Sequence, residues 1–195
     1  MSKLIVDVSY HNGVIDWNKV KASGVQGAII RCGYGDNIAS QDDKQFKRNA
    51  DECTRLGIPW GVYIYSYAKT TAQAKSEAAH ALRLVAPYKG KMSYPIYYDL
   101  EQRGTESVAV QNGIVFGDII EAAGYWCGIY SGQYWYQKYI GNRLDRFTKW
   151  VARYSSQKPV GISGSYDMWQ YSSSGSVPGI NGRVDMNEVY RDFPS

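Results

Sequence analysis

This chain of 195 residues has few of the groups that most enzymes use for nucleophilic or metal chemistry. It carries two histidines, His11 and His80, and the second falls inside a stretch that reads as a helix far from any strand end, so a zinc site is not expected. Three cysteines, Cys32, Cys53 and Cys127, are odd in number and widely spaced. That excludes a disulfide framework and a paired Cys-x-x-Cys metal site, and leaves them as small buried hydrophobes. No Gly-x-Ser-x-Gly elbow and no phosphate-binding loop occur, and Gly33-Tyr34-Gly35 is too weak a glycine motif to hold a nucleotide. No apolar run approaches the ~20 residues that cross a bilayer, so membrane insertion is not expected. The formal charge of +4 comes without a Lys/Arg run, a mild bias toward anionic polymers but no stripe for nucleic acid. The first residues run directly into an apolar strand, from which a protein made in the cytoplasm without a signal peptide is expected.

What is abundant is aromatic and polar at once. There are 18 tyrosines and 6 tryptophans against 4 phenylalanines, a balance suited to a wet groove that stacks on sugar rings. The chain is organised around Ser93-Tyr94-Pro95-Ile96-Tyr97-Tyr98-Asp99-Leu100-Glu101, an apolar and aromatic run ending in two acids one residue apart. In a strand alternate side chains share a face, so Tyr97, Asp99 and Glu101 point one way and Ile96, Tyr98 and Leu100 the other. The two acids then stand roughly 6.5 Å apart at Cα, two rises of about 3.3 Å, close enough for one charge to raise the other's pKa. A protonated acid beside an ionised one is what glycoside hydrolysis requires, although an Asp and a Glu just past a strand also serve as loop solvation or a helix cap.

Along the chain, strands are expected at residues 4–9, 27–32, 60–67, 95–100, 126–130, 149–154, 166–171 and 184–189. Helices are expected from Asp16 to near Gly24, then at about 41–56, 71–85 and 107–123, with a short piece at 133–139. The loops at 155–165 and 172–183 are rich in Ser and Gly. Alternation of strand and helix predicts a parallel sheet, and eight strands predict one closed, irregular (β/α) barrel, TIM-barrel-like, with fewer than eight helices; an open doubly wound sheet is the alternative. In such barrels function collects at the C-terminal strand ends, here Asp7, Arg31, Tyr63 with Tyr65, Asp99 with Glu101, Tyr130, Arg153, Trp169 with Gln170, and Asp185. Closure would make the first and last strands neighbours and bring four carboxylates together. Asp7 could instead cap the turn at Tyr10-His11-Asn12-Gly13, and the four acids could hold a hard cation. A metal-free acid pair flanked by aromatics fits sugar chemistry better, so no metal and no cofactor are expected.

Val6-Asp7-Val8-Ser9-Tyr10-His11-Asn12-Gly13, Gly27-Ala28-Ile29-Ile30-Arg31, Gly61-Val62-Tyr63, Tyr98-Asp99-Leu100-Glu101, Gly128-Ile129-Tyr130-Ser131, Trp150-Val151-Ala152-Arg153-Tyr154, Met168-Trp169-Gln170-Tyr171 and Val184-Asp185-Met186-Asn187 resemble, in order, the signatures of the family 25 glycoside hydrolases. The resemblance implies a flattened barrel and an N-acetylmuramidase (lysozyme) acting on peptidoglycan, of the kind found in bacteriophage endolysins, made in the host cytoplasm and acting on the wall after release. It implies Glu101 as general acid and Asp99 as the ionised partner, either nucleophile or stabiliser of an oxazolinium formed by the substrate's acetamido group. Asp7 and Asp185 become supporting carboxylates. Arg31, Tyr63, Tyr65, Tyr130, Trp169 and Gln170 become groove residues. The third strand, Tyr63-Ile64-Tyr65-Ser66, departs from the His or Phe that many relatives carry after the first Tyr. The expected organisation is a catalytic domain over 1–192 and a tail at 193–195 with no wall-binding module, acting as a monomer on glycan strands. A catalytically silent glycan-binding barrel is the competing reading.

Overall fold

The computed structural model describes residues 2–193. Within them the elements run β1 (Lys3–Val8), α1 (Trp17–Ala22), β2 (Ala28–Tyr34), α2 (Phe46–Leu56), β3 (Trp60–Tyr65), α3 (Thr71–Val85), β4 (Ile96–Asp99), α4 (Ala109–Ala122), β5 (Cys127–Gly132), α5 (Gln133–Trp135, continued by a π-helical turn Tyr136–Ile140), β6 (Thr148–Ala152), β7 (Met168–Gly175) and β8 (Val184–Val189). The strands close in sequence order into a barrel, β1 beside β8, as expected. Of the expected tail, Pro194 and Ser195 lie outside the described residues, and Phe193 packs its ring on Tyr94 and Trp126.

Local chemistry sets the helix ends. The side chains of Asp16 and Thr70 accept from Lys19 N and Gln73 N, satisfying donors at the starts of α1 and α3. Gly57, left-handed at φ 65°, ends α2. That helix begins at Phe46 rather than near residue 41, because Asp43 holds the preceding turn: its carboxylate accepts from the amides of Tyr10 and Gln45 and from Arg31 Nε. The alternative role for Asp7, capping the Tyr10–Asn12 turn, falls to other residues; Ser9 Oγ accepts from His11 N and Asn12 Oδ1 from Ser9 N.

The sheet corrects one expectation. Seven strands are parallel, but β8 runs antiparallel to both β1 and β7. A long crossover is needed for a parallel return, and the Ser/Gly-rich segment before β8 contains no helix to make one.

Two apolar layers result. The larger lies between the barrel's outer face and the helices, where Trp17, Val20, Trp60, Ala78, Tyr98 and Phe116 are buried. The smaller fills the barrel itself, with Ile5, Ile29, Tyr97, Tyr130, Trp150, Met168 and Val189. Gly128 makes room for this filling: a Cβ there would lie 2.3 Å from the Tyr97 ring. Truncating one of these inner aromatics to alanine removes about 3–5 kcal/mol. One further step of two residues along each strand, with the side-chain period of two, carries the same inner face to the barrel mouth.

Candidate active site

That step decides what the mouth contains. From Ile5 it reaches Asp7, from Ile29 Arg31, from Tyr63 Tyr65, from Tyr97 Asp99, and from Met168 Gln170. On the reversed β8 it runs backward from Val189 to Asn187 and Asp185, and Asp185 stands opposite Asp7 in register. Asp185 therefore reaches the mouth from the beginning of its strand, not from a C-terminal end.

The four carboxylates Asp7, Asp99, Glu101 and Asp185 converge with Tyr63, Tyr130 and Gln170 on a narrow funnel of about 130 Å³. Trp150 and Tyr154 complete its wall. Neither was singled out from the sequence. Trp150 carries a findable signal, since it shares the inner face with Ala152 in β6, whereas Tyr154 lies beyond the strand end where periodicity says nothing. Asn187, also unanticipated, is found by the same two-residue step from Asp185.

Trp169 does not join the funnel. It sits between Met168 and Gln170 on the opposite face of β7 and donates its indole N–H to the Arg153 carbonyl at 2.9 Å. Arg31 and Tyr65 reach the mouth but border a neighbouring cleft. Arg31 Nε donates to Asp43 Oδ2 at 2.9 Å, and its guanidinium lies 5.0 Å from the Tyr10 ring centroid. Tyr65 donates its hydroxyl to Gln102 Oε1 at 3.0 Å.

The loop that carries Glu101 is fixed from both sides. Leu100 N–H donates to the Tyr130 carbonyl at 2.9 Å and Thr105 Oγ1 to the Gln102 carbonyl at 2.8 Å. Glu101 itself remains exposed, whereas Asp99 is 3% exposed.

Hydrogen bonding divides the acids. Asp7 Oδ2 accepts from Gln170 Nε2 and from Asn187 Nδ2, both at 2.8 Å. Those amides are held in turn: Tyr130 and Tyr154 hydroxyls donate to Gln170 Oε1 at 2.6 and 3.0 Å, and Trp150 Nε1 donates to Asn187 Oδ1 at 2.8 Å. Asp7 also faces Asp185, its register partner on β8. Asp99 has Glu101 as its neighbour in the funnel, and its Oδ1 is buried without a hydrogen-bond partner.

Burial pushes all four carboxyls upward. Asp99 rises well above the usual carboxylate range, first through burial and then through the charges of Glu101 and Asp7, with Arg31 pulling weakly the other way. Glu101 rises through burial by the funnel wall, and its bond with Asp99 draws it back down. Asp7 rises through burial and the neighbouring Asp185 charge, offset by its two amide donors. Asp185 rises through burial, offset by Asp7. Both members of the Asp99/Glu101 pair thus hold protons more tightly than ordinary carboxylates. Among the described residues, no group of three or more His, Cys, Asp or Glu side chains is arranged to hold a metal ion. His80 is buried in α3 and reaches the loop after β2, with Nδ1 facing the Gly35 carbonyl and Nε2 facing Asp42. Among the described residues, no helix is long and apolar enough to cross a membrane.

The chain as a whole is similar to known proteins. The family model described as glycosyl hydrolases family 25 matches residues 6–180. The modular autolysin LytC from Streptococcus pneumoniae is 34% identical, with a TM-score of 0.83 over 97% of this chain and 47% of its own. LytC has also been solved with a synthetic peptidoglycan ligand. The catalytic domain of endolysin ply40 from bacteriophage P40 of Listeria monocytogenes is 26% identical, with a TM-score of 0.83 over 97% of this chain and 94% of that one. The autolytic lysozyme of Clostridium acetobutylicum is 27% identical over 183 residues, 94% of this chain and 54% of that protein. The chain thus spans about half the length of LytC and of the clostridial enzyme.

Proposed function

The chain belongs to family 25 of the glycosyl hydrolases, and we propose that it is an N-acetylmuramidase cleaving the β-1,4 bond between N-acetylmuramic acid and N-acetylglucosamine in peptidoglycan. The observation that carries this reading is the acid pair: a buried Asp99 with a bare oxygen beside an exposed Glu101 in the funnel.

Glu101, at the open mouth, is the member that can reach a glycosidic oxygen. A sugar entering the funnel displaces water from Glu101 and favours its neutral form, while positive charge developing at the anomeric carbon favours an ionised Asp99. The proton then crosses the shared hydrogen bond from Asp99 to Glu101. Glu101 transfers it to the leaving oxygen as the C1–O bond breaks. The substrate's acetamido oxygen closes on C1 to form an oxazolinium, and Asp99 holds its N–H. Water, deprotonated by Glu101, opens that ring and restores the starting state with net retention. Asp7, held by Gln170 and Asn187, and Asp185 opposite it line the funnel beside the reacting carbon. Tyr63, Tyr130 and Trp150 present apolar ring surface to the sugar. A catalytically silent binding barrel has no use for a buried, unsatisfied carboxylate that costs stability.

A role in bacteriophage lysis is part of the same proposal, supported by the resemblance to ply40. The test is digestion of purified peptidoglycan, borohydride reduction and mass spectrometry. Reduced N-acetylmuramic acid ends are expected. New ends on N-acetylglucosamine, or none, would reject the muramidase reading.

A further inference from the structure

Beside the funnel lies a second, wider cleft of about 540 Å³ at the ends of β2 and β3. Its formation is written in the backbone. The register of β2 against β3 shifts between Arg31 and Gly33, so that Arg31 faces Tyr63 and Tyr34 faces Tyr65. The extra residue returns Tyr34 to the inner face, and the Arg31 guanidinium lies between the Tyr10 and Tyr34 rings, 5.0 and 5.9 Å from their centroids. Tyr65 and Tyr67 form the facing wall.

The two cavities have opposite electrostatic character. The funnel is lined by four carboxylates and no cation. The cleft is lined by Arg31 and Lys44, and its single acid, Asp42, is committed to His80 at 2.8 Å and to Arg83 at 2.6 Å. Among the described residues Lys44 forms no ion pair. Arg31 gives Nε to Asp43, and its buried Nη2 has no hydrogen-bond partner. A ligand that suits both cavities is uncharged where it meets the acids and anionic a few bonds away. Within peptidoglycan, the muramic sugar has that form: a neutral acetal at C1, and on C3 a lactyl group continued as a carboxylate-bearing peptide.

We propose that the Tyr10/Arg31/Tyr34/Lys44/Tyr65/Tyr67 cleft is the subsite for the lactyl-peptide substituent, and that it, rather than the acid funnel, rejects glycans built of N-acetylglucosamine alone. This assignment rests on the muramidase reading but is tested apart from it. N-acetylmuramyl-L-alanyl-D-isoglutamine and the trimer of N-acetylglucosamine are titrated calorimetrically into the wild-type chain and into Lys44→Glu, Lys44→Arg and Tyr67→Ala. Lys44 and Tyr67 are both exposed, so these variants are expected to fold, which their thermal transitions verify. Losing a charge-assisted contact and placing a like charge there should weaken the muramyl peptide about tenfold in Lys44→Glu. Lys44→Arg should restore binding, and the trimer should change less than about twofold. Equal weakening of both ligands, or unchanged binding of the muramyl peptide, would overturn the assignment. If the wild type releases no muramic ends yet the charge-dependent binding is found, the muramidase reading fails and the cleft assignment stands.

Discussion

Two carboxylates at the barrel mouth are buried to nearly the same degree and treated in opposite ways. Asp43, 5% exposed, accepts from two backbone amides and from Arg31, so its charge is distributed over three donors. Asp99, 3% exposed, has an oxygen with no donor at all and an acidic neighbour. Glu77, buried on α3, repeats the first pattern, accepting from Ser66 Oγ, the Tyr98 hydroxyl and Tyr67 N. A buried acid with a full complement of donors holds structure together; one left short costs about 1–3 kcal/mol and persists where its chemistry is used. Burial alone does not separate the two kinds. The donor count does.

The contrast can be broken most sharply at the mouth. Glu101→Gln keeps the side chain's shape and removes its proton, and should lower turnover by about 10³-fold in a peptidoglycan-clearing assay, with muropeptide binding retained. Undiminished turnover would remove Glu101 from the acid role. Asp43→Asn places an amide N–H against donors and strips Arg31 of its partner. It should cost about 3 kcal/mol in denaturant unfolding, because a buried pair is broken from one side. Asn187→Leu leaves the Trp150 indole N–H and one lone pair of Asp7 unpaired and should cost about 2 kcal/mol. Asp99→Asn is expected to go the other way, gaining about 1 kcal/mol at neutral pH while turnover collapses.

The smallest effect is in the pH dependence. Asp7 and Asp99 bind protons more tightly in the folded chain than in the unfolded one, because burial raises both. Stability is therefore greatest below the ordinary carboxylate range with respect to these groups, and declines as pH rises from there through their raised native values. Asp99→Asn should flatten that decline in thermal melts between pH 4 and pH 8; an unchanged slope would mean that Asp99 is not the group responsible. Activity that needs one proton on the Asp99/Glu101 pair should fall over the same direction of pH.

Much of this was legible because strand periodicity is a strong signal. The order of elements, the closure of the barrel and the convergence of Asp7, Asp99, Glu101 and Asp185 follow from apolar alternation and from Asp and Glu at strand ends. What escaped has physical causes. The reversal of β8 depends on how a loop without a helix returns to the barrel, which no residue pattern specifies. Trp169 looked like a groove aromatic by its type, yet the two-residue period that correctly places Gln170 in the funnel forces Trp169 to the other face. Arg31 is displaced toward the cleft by Asp43, a residue in a turn that propensity reads as helix. The donors to Asp7 are inexpressive amides whose value appears only when β1, β7 and β8 lie side by side.

The most direct test is to measure unfolding free energy and peptidoglycan turnover for Asp99→Asn and Asp43→Asn side by side at neutral pH. Opposite shifts are predicted: Asp99→Asn at least as stable as the wild type and without turnover, Asp43→Asn destabilised by about 3 kcal/mol. A destabilised Asp99→Asn that still clears peptidoglycan would contradict the division of buried acids into structural and chemical ones.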